Sequence, residues 1–335
     1  MNGSEIMIFI LKIFGALAIA ILGIVIGLFY KGIDRKLAAR MQSRVGPPIR
    51  QPFLDFLKLM MKENIVPENA VPWVFNGAPV LALVTTITIL YYIPIGNMPA
   101  LLGGYGDIVV IAYLLTIPAI GLVVGGFSSG SPYASIGAQR EMVMMMSYEL
   151  PLVTVIIALG WRLNLAYPGI SVFSLEVLTA NPIWGLVGPL GFIGAFFLFF
   201  TLAIVTPAEV SIVPFDIPEA ETELAGGVLV EYSGRNLALF ELAYAVKLIV
   251  MAALTIVLFF PYNIAHLLPV GGFVAVIVDI IFFFIKLFVI VFFEATYIRV
   301  AFARLKIDQA SVAYLFFLST LSIMGLLFIA IDYII

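Results

Sequence analysis

The stretch Thr206–Arg235, TPAEVSIVPFDIPEAETELAGGVLVEYSGR, sets the reading of this chain. Six carboxylates fall within it, Glu209, Asp216, Glu219, Glu221, Glu223 and Glu231, against one base, Arg235. The flanks, 189–206 and 237–260, are apolar runs with few charges. A polar segment between two such runs is a loop joining two membrane-spanning helices. Carboxylates crowded beside a low-dielectric medium repel one another. Some of these are therefore expected to hold protons near neutral pH and to exchange them when a neighbouring charge changes. The competing reading is a solvated acidic loop with no such role.

Working outward, the same alternation fills the chain. Apolar residues make up 63% and charged residues 11%, against about 25% charged in a soluble domain, and the mean hydropathy is +1.16. The fold class expected is all-α: a polytopic membrane helical bundle forming one integral membrane domain over 1–335, with an added amphipathic helix in the first loop. Eight spans are read, near 5–30, 75–95, 107–127, 139–160, 189–206, 237–260, 269–293 and 311–335. The first apolar run is long and its basic flank follows it, so it reads as a span and not as a cleaved leader. With no cysteine, thiol chemistry and a cysteine-ligated cluster are excluded, and the one histidine, His266, cannot hold a haem or metal site alone.

Lysine and arginine set the orientation. Thirteen of the seventeen fall in the first, third, fifth and seventh loops, eight of them in 31–74. These loops are expected on the cytoplasmic side of the cell membrane and both termini outside. Loop 31–74 also reads as a docking surface. A basic run, KGIDRKLAARMQSR, precedes GPPIRQP, whose prolines forbid a regular helix. FLDFLKLMMKE then places Phe53, Phe56, Leu57, Met60 and Met61 at helical spacing, an amphipathic helix on the membrane surface or a partner.

Charges inside spans are rare and therefore informative. Glu141 and Glu149, eight residues apart, lie about 80° apart around a helix. Glu149 is deep enough that an ionised, lipid-facing form would cost about 3 kcal/mol or more, so it is expected to face the interior. Glu241 and Lys247 in the sixth span, and Asp279 and Lys286 in the seventh, form a possible relay, with structural ion pairing between them the competing reading. Asp107 and Asp332 read as span-end anchors.

Two segments resemble a known family. GIDRKLAARMQSRVGPP…QPFLDFLKLMMKE and FDIPEAETELAGGVLVEYSG are similar to the two signatures of the membrane protein that joins the arms of respiratory complex I, subunit 1 of the mitochondrial enzyme and the H subunit of the bacterial one. Ser147-Tyr148-Glu149 and the eight-span layout fit as well, so the resemblance covers essentially the whole chain. One departure stands out: only Ile49 and Arg50 separate Gly-Pro-Pro from Gln51, where complex I members carry a few more residues. The shortened form is similar to the subunits of group 4 membrane-bound [NiFe]-hydrogenases and of the related archaeal sulfane reductase. It argues for a non-quinone acceptor.

The resemblance implies a coupling subunit, non-catalytic in the bond-breaking sense. It implies a proton-responsive path of Glu149, Glu209, Asp216, Glu219, Glu221, Glu223 and Glu231, with Glu141 beside them, in a coupling loop 206–236. It implies docking of a peripheral arm by Asp34, Arg35, Arg40, Arg44 and Gln51, supported by Asp55 and Lys58. Partners would be a large subunit, iron–sulfur subunits and antiporter-like membrane subunits, with no nucleic acid. Iron–sulfur clusters, and a nickel–iron centre in some relatives, would sit in those partners, with ferredoxin as electron donor. The rival readings are a quinone-reducing complex I subunit, a stand-alone ion-coupled secondary transporter and a passive membrane anchor.

Overall fold

The computed structural model describes residues 3–104, 106–169, 171–268 and 271–335, without the side chains of 3–6, 8–11, 221 and 222. The elements in order are α1 (Gly3–Met41), α2 (Gln51–Met61), α3 (Pro72–Leu90), α4 (Asp107–Ser128), α5 (Pro132–Ala166), α6 (Leu175–Ala180), α7 (Pro189–Glu209), α8 (Glu221–Leu224) and α9 (Gly234–Phe259). Next, α10 (Gly272–Val291) runs through a π turn, Phe292–Tyr297, into α11 (Ile298–Ala301). Likewise α12 (Ile307–Val312) runs through a second π turn, Ala313–Leu318, into α13 (Ser319–Ile334). Counting each π-joined pair as one, eight helices among the described residues are long and apolar enough to cross a membrane. The expected helical bundle is the fold found.

Several helix ends differ from the sequence reading. Residues 31–41, read as the start of a loop, continue α1 to Met41. Lys, Arg, Ala, Leu and Met are all good helix formers, so the helix has no reason to stop where the charge begins. The fourth span begins at Pro132, earlier than the expected 139, so part of the segment read as the third loop forms its first turns. The fifth runs to Glu209, so that carboxylate belongs to α7 and the acidic loop shortens to 210–233. The seventh extends to Ala301. Proline stands in the first turn of α2, α3, α5 and α7, where its fixed φ suits a helix start and its missing N–H costs nothing.

The bundle is built around α9. Of its most apolar window 94% is buried inside the protein, against 22% for α1 and 28% for the α10–α11 helix. Helix α9 packs against α1, α2, α3, α7 and α10, and beyond Lys247 it is apolar on nearly every face, as suits an enclosed helix. Within lipid the hydrophobic effect does not draw helices together, so close backbone approach through small residues matters more. A Cβ at Gly27 of α1 would lie 2.8 Å from the Ala245 carbonyl oxygen of α9, and one at Gly325 of α13 would lie 2.9 Å from the Gly194 carbonyl oxygen of α7. Any larger residue would prise these pairs apart.

The connections segregate. Residues 42–50, 62–71, 129–131, 210–233 and 302–306 gather at one end, tied by Val71 N–H donating to Ser128 O (2.9 Å) and Leu305 N–H to Pro214 O (3.1 Å). Nearly all the basic residues lie at this charged end. Residues 91–104, 106, 167–169, 171–188, 260–268 and 271 form the opposite end, where Ile108 N–H donates to Phe173 O (3.1 Å).

Candidate functional site: a line of polar groups entering the bundle

Helix α9 carries the line. Glu241, Tyr244 and Lys247 follow at intervals of three, so they stand on successive turns of one broad face. Each meets a residue from a distant part of the chain. Lys31 of α1 donates to Glu241. The Tyr244 hydroxyl donates to Glu219 of the acidic loop. Lys247 pairs with Glu209 of α7 at 2.8 Å, the two side chains 4% and 2% exposed. Glu241 and Lys247 do not pair with each other: at i and i+6 they lie about 120° apart around the helix, at the two edges of that face, and α1 and α7 bring an opposite charge to each.

Open space follows the same line. A cleft of about 310 Å³ at the charged end is lined by Lys31, Arg35, Asp55, Lys58 and Glu241, among others. A second, of about 230 Å³, shares Lys31, Arg35 and Glu241 with it and adds Asp216, Glu219 and Tyr244. Behind Tyr244 a small void of about 10 Å³ is lined by Ser211, Tyr244, Glu141 and Lys247. Tyr244 and Ser211 thus form the partition between the open clefts and the buried Glu141, Lys247 and Glu209.

The electrostatics of the carboxylates outside the spans differ. Burial pushes Glu219 up to about 7; the hydrogen bond from Tyr244 opposes this and the charge of Glu241 adds to it. Asp55 on α2 goes the other way. Burial raises it, but hydrogen bonds from Gln51 (2.8 Å) and Arg35 (2.8 Å), with the charges of Arg35 and Lys58, hold it below the usual carboxylate range. One carboxyl is poised to change charge near neutral pH and the other is pinned as an anion.

The remaining residues read from the sequence fall as follows. Asp34 is buried, accepting from Arg299 (2.8 Å) and from Thr296 Oγ1 (2.8 Å). It clamps α1 to the helix of the seventh span and reaches the wall of the second cleft with little free surface. Arg40 and Arg44 are exposed at the charged end. Asp216 is paired by Arg304 and Glu223 by Arg140, so both act as ties across the loop. Glu231 is half-buried, and the Glu221 side chain lies outside the described residues. Glu141 is fully buried and within electrostatic reach of Lys247, Glu209 and Glu219. Glu149 is only half-buried, contrary to the interior position expected. The 80° between it and Glu141 turns it toward the rim, and Tyr148 takes the inward place. Asp279 and Lys286 do not pair. Asp279 accepts from the backbone N–H groups of Ile264 (3.1 Å) and Ala265 (2.8 Å) and from Asn97, while Lys286 donates to the carbonyls of Phe260 and Tyr262, both at 2.8 Å. They belong to the opposite end, each bonded to backbone.

The sequence does not by itself place Tyr244, Tyr148 or Ser211 in the site. The regular spacing Glu241–Tyr244–Lys247 is a signal for the first; the others are placed by tertiary contact alone. On α2, Phe53 and Phe56 pack against Leu28, Leu242 and Ala245, while Leu54, Leu57 and Met61 remain exposed. The helix is anchored to the bundle by one face and keeps an apolar outer edge.

A helical multi-pass membrane protein with carboxylates and their counter-charges threaded into its central helix is the class that fold and site define. The NADH dehydrogenase family matches residues 13–330. The H subunit of the NADH-quinone oxidoreductase of Anoxybacillus flavithermus is 36% identical over 311 residues, 89% of this chain and 87% of that protein. The corresponding H subunit from Dehalococcoides mccartyi is 29% identical over 98% of this chain and 87% of its own length. A chain in the structure of the membrane-bound sulfane sulfur reductase, an archaeal respiratory membrane complex, superimposes with a TM-score of 0.79 at 27% identity, covering 94% of this chain and 98% of that one. The chain belongs to the NADH dehydrogenase family, the membrane H subunits of complex I-like oxidoreductases.

Proposed function

We propose that this subunit joins the peripheral and membrane arms of a ferredoxin-linked respiratory oxidoreductase and couples electron transfer to proton or sodium translocation. The observation that carries the reading is the succession of groups from the cleft at Lys31, Arg35 and Glu241, through Glu219 and Tyr244, across a small void to Glu141 and the Lys247–Glu209 pair. Its members are titratable or hydroxyl-bearing, and Glu219 changes charge near neutral pH. A charge arriving at the cleft shifts the protonation of Glu219, and Tyr244 passes the change inward.

The charged end is the cytoplasmic face, with both chain termini on the outer side of the cell membrane. Arg40, Arg44 and Lys58, with the cleft-lining Arg35 and Gln51 beside Asp55, receive a large subunit and iron–sulfur subunits, which hold the clusters and any nickel–iron centre. Antiporter-like subunits pack on the membrane face. For the acceptor, the short Gly46–Gln51 link and the likeness to the sulfane reductase chain support a sulfane reductase or hydrogenase type over quinone reduction.

The test is made in the assembled complex in vesicles. Glu219→Gln and Tyr244→Phe should leave electron transfer within about twofold of the parent and abolish most ion uptake. Ion uptake per electron unchanged in both variants would refute the coupling role.

A further inference from the structure

The buried charges along α9 all have counter-charges or hydrogen-bond partners. Glu294 does not. It is 2% exposed, and neither carboxyl oxygen has a hydrogen-bond partner among the described residues. It lies on the π turn Phe292–Tyr297, a local widening of the helix frequent at functional sites. The turn packs against α1, α7, α10 and α11. The charged groups it meets there, Asp34 and Arg299, are bonded to each other, with Thr296 of the same turn completing the clamp.

What Glu294 faces is two threonines, Thr206 of α7 and Thr255 of α9. Each hydroxyl has a single proton, and each has already given it away. Thr206 Oγ1 donates to the Leu202 carbonyl (3.0 Å) and Thr255 Oγ1 to the Met251 carbonyl (3.2 Å), both one turn back in their own helices. A hydroxyl in that state offers only lone pairs. Lone pairs repel a carboxylate and accept from a carboxylic acid. With both hydroxyls turned to their own helices, as found, the burial of Glu294 favours its protonated form, whereas a hydroxyl turned back toward the carboxyl would favour the charged one. Thr206 stands one turn from Glu209 on α7, and Thr255 two turns from Lys247 on α9, so the site lies further along the two helices that carry the innermost ion pair.

We propose that Glu294 is a proton-holding site of this protein, the station beyond the Glu209–Lys247 pair, loaded and unloaded as that pair changes charge. The inference rests on the coupling reading above. The step moves one proton onto or off a carboxyl oxygen, with the Thr206 and Thr255 oxygens accepting the hydrogen bond of the loaded form, and involves no redox change.

The experiment compares Glu294→Gln with Glu294→Asp in the intact complex. Glutamine keeps the size and polarity of the side chain but cannot exchange a proton; aspartate exchanges one but is a methylene shorter. A proton site predicts that E294D retains at least half of the ion uptake per electron and E294Q loses most of it, with electron transfer preserved in both. A structural role predicts the reverse order, and that result would overturn the proposal. Infrared difference spectra of the complex on reduction should contain the carbonyl band of a protonated carboxyl that is absent in E294Q and moved in E294D. Should E294Q not assemble, the E294D spectrum still decides, since an unshifted band refutes the assignment. If Glu219→Gln uncouples the complex and E294Q does not, this inference alone fails. If neither uncouples it, the underlying coupling reading fails with it.

Discussion

The two ends of the bundle hold themselves together by different means. At the charged end, side chain meets side chain across long sequence distances: Lys31 with Glu241, Asp34 with Arg299, Arg140 with Glu223, Asp216 with Arg304. At the opposite end, charge meets backbone. Asp107 accepts from the N–H groups of Gly104 (2.6 Å) and Leu175 (3.1 Å), Asp332 from that of Gly188 (2.7 Å), Asp279 from two more, and Lys286 caps two carbonyls. A peptide dipole is fixed and has one state, so a carboxylate held by it is a staple. A carboxylate held by another ionisable group shares its fate when that group gains or loses charge. The same residue types thus fasten one end and make the other responsive.

That contrast can be broken by substitution. The largest effect is expected from Lys247→Ala, which strands Glu209 as an unpaired charge in the core. Loss of one partner of such a buried pair costs about 3–5 kcal/mol. Thermal melts in detergent should show it, and a double Glu209→Leu, Lys247→Met variant should recover most of the stability while remaining uncoupled. Asp279→Asn comes next, about 1–3 kcal/mol for weakening charge-assisted bonds to backbone donors, with ion uptake per electron unaffected. An uncoupled D279N complex would erase the distinction between the two ends.

The smallest effect sharpens the comparison through pH. Glu219 is raised from 4.5 to about 7, so between those values the folded protein holds a proton that the unfolded chain has released. Folding therefore binds more protons in that window, and stability must fall as pH rises from about 5 to about 7. The melting temperature of E219Q should lack that part of the slope, and a slope identical to the parent's would show that Glu219 does not titrate there.

The eight spans, the amphipathic α2 and the carboxylate-rich loop were legible because they follow from local apolarity and period. The end of α1 was not, since Lys31–Met41 changes polarity without changing helix propensity. Nor were the pairings legible: Lys31 and Glu241 are 210 residues apart, and only the close seating of α1 on α9 at Gly27 makes them neighbours. Glu149 was misplaced because 80° of rotation, small on a helical wheel, is enough to carry a side chain from the interior to its rim. Glu294 carried no sequence signal beyond being an acid in an apolar run; its isolation is a property of what surrounds it.

The turn at Phe292–Tyr297 also bears on how such a chain tolerates insertion and deletion. A π turn is a regular helix that has absorbed one additional residue. Losing that residue would heal the helix locally, yet everything beyond it would swing by about 100° and retreat by about 1.5 Å. Arg299 would leave Asp34, and the 302–306 connection, with Arg304 on Asp216, would be dragged out of register. The extra residue works as a phase setting between the seventh span and the charged end, so changes in length are tolerated in the loops and not there.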